Sequence, residues 1–291
     1  MSERLSEIRA HIVATRQLET VITAMRAVAA ARTREAQARL EGVRAYAEAL
    51  GEAIGAALSL QLGSREPPIA REEERALGHI LLAFCSSQGF VGAFNERVLT
   101  AVKKVLGASP AGRTAVYLVG ERGAALAEEQ GLRLAWTTAM AAHVDETPAL
   151  ADRIAAALYE RIGAGRAGRV TLIHGAPDGG SGFTIVERPL IPLDLSRFPP
   201  SRRSPPLVNL PQRALVESLA QEYVFAELCA AATLSFAAEN EARMQAMIAA
   251  RGNVQKSLQE LEARHRRQRQ AEITEEIIEL VRSAPGRGVA P

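Results

Sequence analysis

The chain has 291 residues, with 35 Lys plus Arg against 33 Asp plus Glu and a formal charge of +2. That balance excludes a general nucleic-acid binder, which carries a clustered basic excess. A content of 47% apolar and 23% charged residues excludes a wholly disordered chain.

Only 4% of the residues are aromatic, while 54 are alanine. Ala is the strongest helix former, so this composition favours long helices with thin cores. The two cysteines, Cys85 and Cys229, are far apart and form neither a disulfide framework nor a CxxC motif. Both are expected to be reduced and buried. The chain has no run of 18 apolar residues, and its first residues lack the apolar core of a signal peptide. A cytosolic site of action is expected.

Residues 2–62 hold no Pro and repeat apolar side chains at helical spacing, at Leu5, Ile8, Ile12, Leu18, Val21, Met25 and Val28. Ser2 is the expected N-cap. About 60 residues at 1.5 Å each make a rod of roughly 90 Å. A globular domain needs no such helix, which points to a coiled-coil arm. Residues 63–77, with Pro67, Pro68 and the acidic run Glu72, Glu73, Glu74, are expected to form a solvated linker.

The pattern then changes to short, wholly apolar runs at Ile80–Phe84, Val116–Gly120 and Val170–Ile173. Such runs fit strands buried on both faces of a parallel sheet. Helical segments are expected near 94–107, 121–130 and 147–163, and 183–193 is a candidate for one more strand. Residues 78–193 therefore predict a Rossmann-like, three-layer α/β domain. A Pro-rich linker follows over 194–211. Residues 212–284 again lack Pro and contain one Gly, Gly252, so a second long helix is expected there, ending before a tail at 285–291. Its apolar stripe runs through Val254, Leu258, Leu261, Ile273, Ile277 and Leu280, interrupted by Asn240, Arg251, His265 and Gln268. Pairing the two terminal helices antiparallel buries both stripes. The expected architecture is a two-helix shaft with an α/β domain inserted between its strands.

Catalytic constellations do not emerge. The five histidines are scattered without metal-ligand spacing, and no P-loop motif occurs. The loop Ser86–Gly92 follows a strand and precedes a helix, so it reads either as a tight structural turn or as a phosphate cradle. The segment Gly175–Gly182 reads as a flexible turn. The arginines of the first helix (Arg4, Arg9, Arg16, Arg26, Arg32, Arg34, Arg39) do not share one face. They are either solvated or set against acidic residues of an enclosing partner.

Two segments carry a family resemblance. One is Ile22-Thr23-Ala24-Met25-Arg26-Ala27-Val28-Ala29-Ala30-Ala31-Arg32. The other is Glu239-Asn240-Glu241-Ala242-Arg243-Met244-Gln245-Ala246-Met247, continued by Arg269-Gln270-Ala271-Glu272-Ile273-Thr274-Glu275-Glu276-Ile277. In sequence, order and separation the chain resembles the gamma subunit of F-type ATP synthases. The resemblance implies a central rotating stalk inside a ring of three alpha and three beta subunits. It also implies contacts with an epsilon subunit and a membrane ring of c subunits, at the cytoplasmic face of a bacterial inner membrane reached only through the complex. No cofactor, metal or nucleic acid is implied, and no bond chemistry by the chain itself.

Carried over by position, the implied contacts with the alpha/beta ring are Met25, Arg26, Arg243, Gln270, Ile273, Thr274, Glu276, Ile277 and Val281. Leu207, Val208 and Asn209 fall at the family's foot toward the c-ring. Gly89, Gly92 and Asn95 remain of a loop that in the family reads like DRGLCGGLN, and here its Asp-Arg pair and Cys are gone. No cysteine-bearing insert of the chloroplast type is present. These departures point to a divergent bacterial branch, with the alternate, sodium-associated enzymes as a candidate. Two rival classes are a coiled-coil scaffold, expected to dimerise through its arms, and a nucleotide-binding α/β enzyme using the Gly89 loop.

Overall fold

A computed structural model of the chain describes residues 3–59, 78–108, 112–180, 182–198, 208–209 and 211–283. The expected linker 63–77, most of 194–211, the tail 285–291 and Leu207 lie outside these. The first and last elements are single helices, α1 (Glu3–Ser59) of 57 residues and α5 (Gln212–Ser283) of 72. Between them come β1 (His79–Phe84), α2 (Phe94–Ala108), β2 (Thr114–Val119), α3 (Glu121–Glu129), β3 (Leu134–Thr138), α4 (Thr147–Gly163), β4 (Arg169–Pro177) and β5 (Phe183–Ile191).

The sheet order is β3-β2-β1-β4-β5, parallel from β3 to β4 with β5 antiparallel to β4. All six residues of β1 are buried, which is why Ile80–Phe84 is an unbroken apolar run. Leu81, Ala83 and Cys85 face α2 and α3 together with Val116, Leu118 and Ile173. Ile80, Leu82 and Phe84 face α4 and α5 on the other side, where Leu150, Ile154 and Leu158 pack against Leu228 and Ala232. These are the three layers that alternating strands and helices predict.

One strand departs from expectation, and one that the sequence left without a direction gains it from its turn. β3 escaped the sequence reading because it is a five-residue edge strand in which half-buried Leu134, Trp136 and Thr138 alternate with exposed Ala135 and Thr137. It therefore lacks the continuous apolar run of its neighbours. β5 is antiparallel because only a short turn separates it from β4, where Asp178 Oδ1 accepts hydrogen bonds from the Gly180 and Gly182 amides. A parallel strand would need a crossover of a dozen residues or more.

The chain divides into two compact units, residues 28–245 and the combined segments 1–27 and 246–291. In the second unit α1 and α5 run antiparallel. Arg16 pairs with Glu262 at 2.8 Å, and Glu19 accepts from Gln255 at 3.0 Å and from Arg251 at 3.5 Å. Ile22, Met247, Val254 and Leu258 form its apolar centre. In the 28–245 unit, Ala36 of α1 joins the core that holds α4 and α5, while Leu50 and Ile54 pack with Phe198, Tyr223 and Ala226. Among the described residues no helix is long and apolar enough to cross a membrane.

The covered face of α1 is a heptad seam along its whole length. Positions 5, 8, 12, 15, 19, 22, 26, 29, 33, 36, 40, 43, 47, 50, 54 and 57 are all buried or half-buried and are spaced alternately by three and four, with Met25, Ala30, Arg32 and most residues after 50 covered beside them. That spacing is the coiled-coil repeat. It differs from the expected stripe, because Leu18, Val21 and Val28 are about half exposed. The seam instead uses Thr15, Glu19, Arg26, Ala29, Thr33 and Ala36, which hide the repeat from a search for large apolar residues. On α5, Val254 and Leu258 are buried as expected, whereas Ile273, Ile277, Leu280 and Val281 are exposed. The register set by Arg16 and Glu262 explains this for Ile277, Leu280 and Val281. It leaves Ile277 and everything after it past the start of α1 at Glu3.

Candidate functional site

In a doubly wound sheet the ligand crevice lies beyond the carboxyl ends of the strands, where the strand order reverses. Here that point falls between β1 and β4, and α5 fills it. Residues of α5 up to Ala237 pack on one face of the sheet, and Ala238 and Ala242 pack on the other. Ser235 donates to the Phe84 carbonyl at the end of β1 (3.4 Å). On β4, a Cβ added at Gly175 would stand 2.7 Å from the Phe94 ring and 2.8 Å from the Ala238 methyl. Gly175 is thus the residue that lets the helix lie against the strand end. Protein atoms occupy the place a nucleotide would take.

The expected loop after β1 is held from inside. The Ser86 amide donates to Asn95 Oδ1 and the Asn95 Nδ2 donates to Ser86 Oγ, both at 2.9 Å, while Ser86 Oγ donates to the Gln88 carbonyl. Ser87 Oγ accepts from the Met140 amide at 2.8 Å and the Glu121 amide at 3.3 Å. Gly92 has φ +54°, which suits glycine. Phe90 has φ +62° and is 67% exposed. For a bulky residue that backbone region costs about 1–2 kcal/mol. Gly89, Phe90, Gly92 and Asn95 border an open cavity of 310 Å³ that also meets Glu96, Arg122 and Glu129. Two carboxylates beside one guanidinium do not suit a phosphate.

Arg243 is buried and meets the same loop. Its Nη2 pairs with Glu239 Oε1 at 2.6 Å, its Nη1 donates to Asn240 Oδ1 at 3.0 Å, and its Nε reaches the Gly89 carbonyl at 3.4 Å. The Asn240 amide is oriented by its own bond to the Phe236 carbonyl at 2.8 Å. Burial pushes the Glu239 carboxyl up, and Arg243 and Arg32 pull it back down. In sequence Asn240 stands out as a polar interruption of the stripe and as part of the Glu239–Met247 segment, without a side-chain role. The available signal was the Glu239–Arg243 spacing of four on one helix, inside an Ala-rich stretch.

The remaining candidates are distributed over the chain. Met25 is half-buried at the edge of the Ile22 cluster, and Arg26 is half-buried on the seam. Gln270, Ile273, Thr274, Glu276, Ile277 and Val281 are all exposed on the last turns of α5, where Thr274 donates to the Gln270 carbonyl. Val208 is half-buried and Asn209 exposed. Some first-helix arginines have partners inside the chain, Arg16 with Glu262 and Arg39 with Asp145. Cys85 and Cys229 are free and buried, and burial pushes both thiols up, Cys229 to about 11. Among the described residues no group of three or more His, Cys, Asp or Glu is placed to hold a metal ion.

Two long helices on a seam, one of them filling the crevice of a doubly wound sheet, are the architecture of a helical stalk protein. The family model described as ATP synthase matches residues 4–285, so the chain belongs to the ATP synthase family. Its relatives there are gamma chains. The ATP synthase gamma chain of Burkholderia thailandensis is 28% identical, over 96% of this chain and 98% of its own length. That of Chlorobium luteolum is 27% identical, over 96% and 97%. Among solved structures, the rotor of the Euglena gracilis mitochondrial ATP synthase has the same fold, with TM-score 0.63 and 15% identity over 93% of this chain and 99% of that one.

Proposed function

We infer that the chain is the central rotating stalk of an F-type ATP synthase, surrounded by three alpha and three beta subunits and carrying an epsilon subunit at its base. Residues 78–193 form the base that faces a ring of membrane c subunits, with Val208 and Asn209 in the foot. The helices over 2–62 and 212–284 form the shaft. The assembly lies at the cytoplasmic face of a bacterial membrane, and the chain does no bond chemistry of its own.

The observation that carries this reading is the pair of continuous helices, 57 and 72 residues long, whose apolar side chains are only partly covered within the chain. Leu18, Val21 and Val28 on α1, and Ile273, Ile277 and Val281 on α5, are exposed. An enclosing ring supplies the cover they lack. The stalk is asymmetric, so each orientation favours one conformation of a given ring subunit. Rotation then shifts each subunit's population through its states in turn.

Met25 is the proposed contact on α1 with the moving lever of a beta subunit, and Arg26 beside it a proposed contact with the ring. Gln270, Thr274 and Glu276 offer hydrogen-bonding groups to the ring, and Ile273, Ile277 and Val281 an apolar tip that turns without directional bonds. The substitution Met25→Lys tests this set. It places a cation at the lever contact, and the amount of complex recovered is expected to stay close to wild type while ion transport per ATP hydrolysed falls. Unchanged coupling in a fully assembled complex would remove Met25 from the contact.

A further inference from the structure

The implied role of Arg243 was a direct contact with the ring, yet its guanidinium is turned inward. All three of its nitrogens are used within the chain, on Glu239, Asn240 and the Gly89 carbonyl. Two of those partners are on its own helix, and Asn240 is in turn fixed by the Phe236 carbonyl. The third is across the gap, in the loop after β1. One residue beyond the carbonyl it grips, Phe90 stands exposed in the left-handed region that bulky side chains avoid. Strain of this kind persists only where the surroundings hold it, and it concentrates at working surfaces.

We propose that Arg243 is a positioning residue: braced by Glu239 and Asn240, it clamps the Gly89–Gly92 loop to the C-terminal helix and so presents Phe90 as an apolar contact to the surrounding ring. This rests on the central-stalk reading and assigns Arg243 a part in it through Phe90. The planar guanidinium suits the task, since its fork spans three acceptors at fixed angles and an ammonium group cannot. The clamp also joins the α/β domain to the helix at a second point beside the Gly175 contact, so the loop turns with the helix instead of lagging behind it.

Removing Arg243 alone strands the buried Glu239 carboxylate and endangers folding. The informative variant is therefore Glu239→Gln with Arg243→Met, which deletes both charges and the bond to Gly89. It is compared with Arg243→Lys, with Phe90→Ala, and with the three substitutions combined, each in the full chain assembled in the complete ATP synthase with its alpha and beta subunits and its membrane sector. Amide hydrogen exchange read over residues 86–93 is expected to rise about tenfold in the charge-free variant, the loss of one hydrogen bond to a charged group. Exchange over 94–108 should stay unchanged. Arg243→Lys should fall between that variant and wild type. Ion transport per ATP should drop in the charge-free variant and in Phe90→Ala, and the combined variant should drop no further than either, because both remove the same contact. Unchanged exchange over 86–93, or coupling losses that multiply in the combined variant, would overturn the proposal. If the wild-type chain does not assemble with the ring, the presentation of Phe90 falls with the stalk reading. The exchange comparison on the full chain alone still decides whether Arg243 holds the loop.

Discussion

Two buried histidines give the fold a defined acid limit. His79 Nδ1 accepts from Arg169 at 3.2 Å, so its Nε2 carries the proton that meets Thr171 Oγ1 at 2.9 Å. His174 donates from Nδ1 to the Gly175 carbonyl at 2.8 Å, and its Nε2 is buried without a partner. Burial holds both rings down at about 4, helped by the charges of Arg169 and Arg188 respectively. The unfolded chain therefore takes up these protons first as pH falls. Stability from the pair is complete above roughly 6.5 and is lost as pH falls from there through 4. The urea midpoint of the full chain should fall steadily between those limits, and a flat profile there contradicts the assignment. Glycine substitutions give a second test at this scale. Gly175→Ala drives a methyl into Phe94 and Ala238 and should cost about 1–3 kcal/mol. Gly42→Ala, on an exposed face of α1 with nothing within 4 Å, should instead stabilise by up to about 1 kcal/mol.

Secondary structure was legible where a strand is buried on both faces and where a helix runs long without Pro. The strand β1, buried throughout, the mostly buried strands β2 and β4 and the uninterrupted long helices follow directly from their residues. The face of α1 did not, because a seam can be built from small and polar residues when its partner is close. Ala29 and Ala36 are almost fully buried, and Glu19 is satisfied across the seam by Arg251 and Gln255. Large apolar residues on the same helix face outward, which hydrophobicity alone reads backwards. The adjacent pair Ile22 and Val21 separates the two faces. Ile22 is 6% exposed and Val21 54%. Ile22→Ala should destabilise the full chain by about 2–5 kcal/mol, and Val21→Ala by no more than about 0.5 kcal/mol, measured by chemical denaturation. The reverse ranking would place the seam on the other face. Much of the candidate site lay beyond such reading for the same reason. Arg243 belongs to a motif at the C-terminal helix, but only the fold brings it to Gly89, 154 residues earlier.

At the scale of the whole molecule, the α/β domain has surrendered its crevice to a helix. Ser235, Ala238 and Ala242 occupy the place where doubly wound sheets bind their ligands, so the domain grips the long helix there. A rotating element needs such a grip to carry torque between a membrane ring and a catalytic ring. Exposed apolar side chains along both helices fit a life spent inside other subunits. The most direct measurement is co-expression of this chain with the alpha and beta subunits of the same genome, followed by size exclusion and an ATPase assay. The account predicts a complex of three alpha, three beta and one copy of this chain, with sustained ATP hydrolysis only when this chain is present. A chain that fails to co-purify and elutes as a self-contained dimer would contradict it.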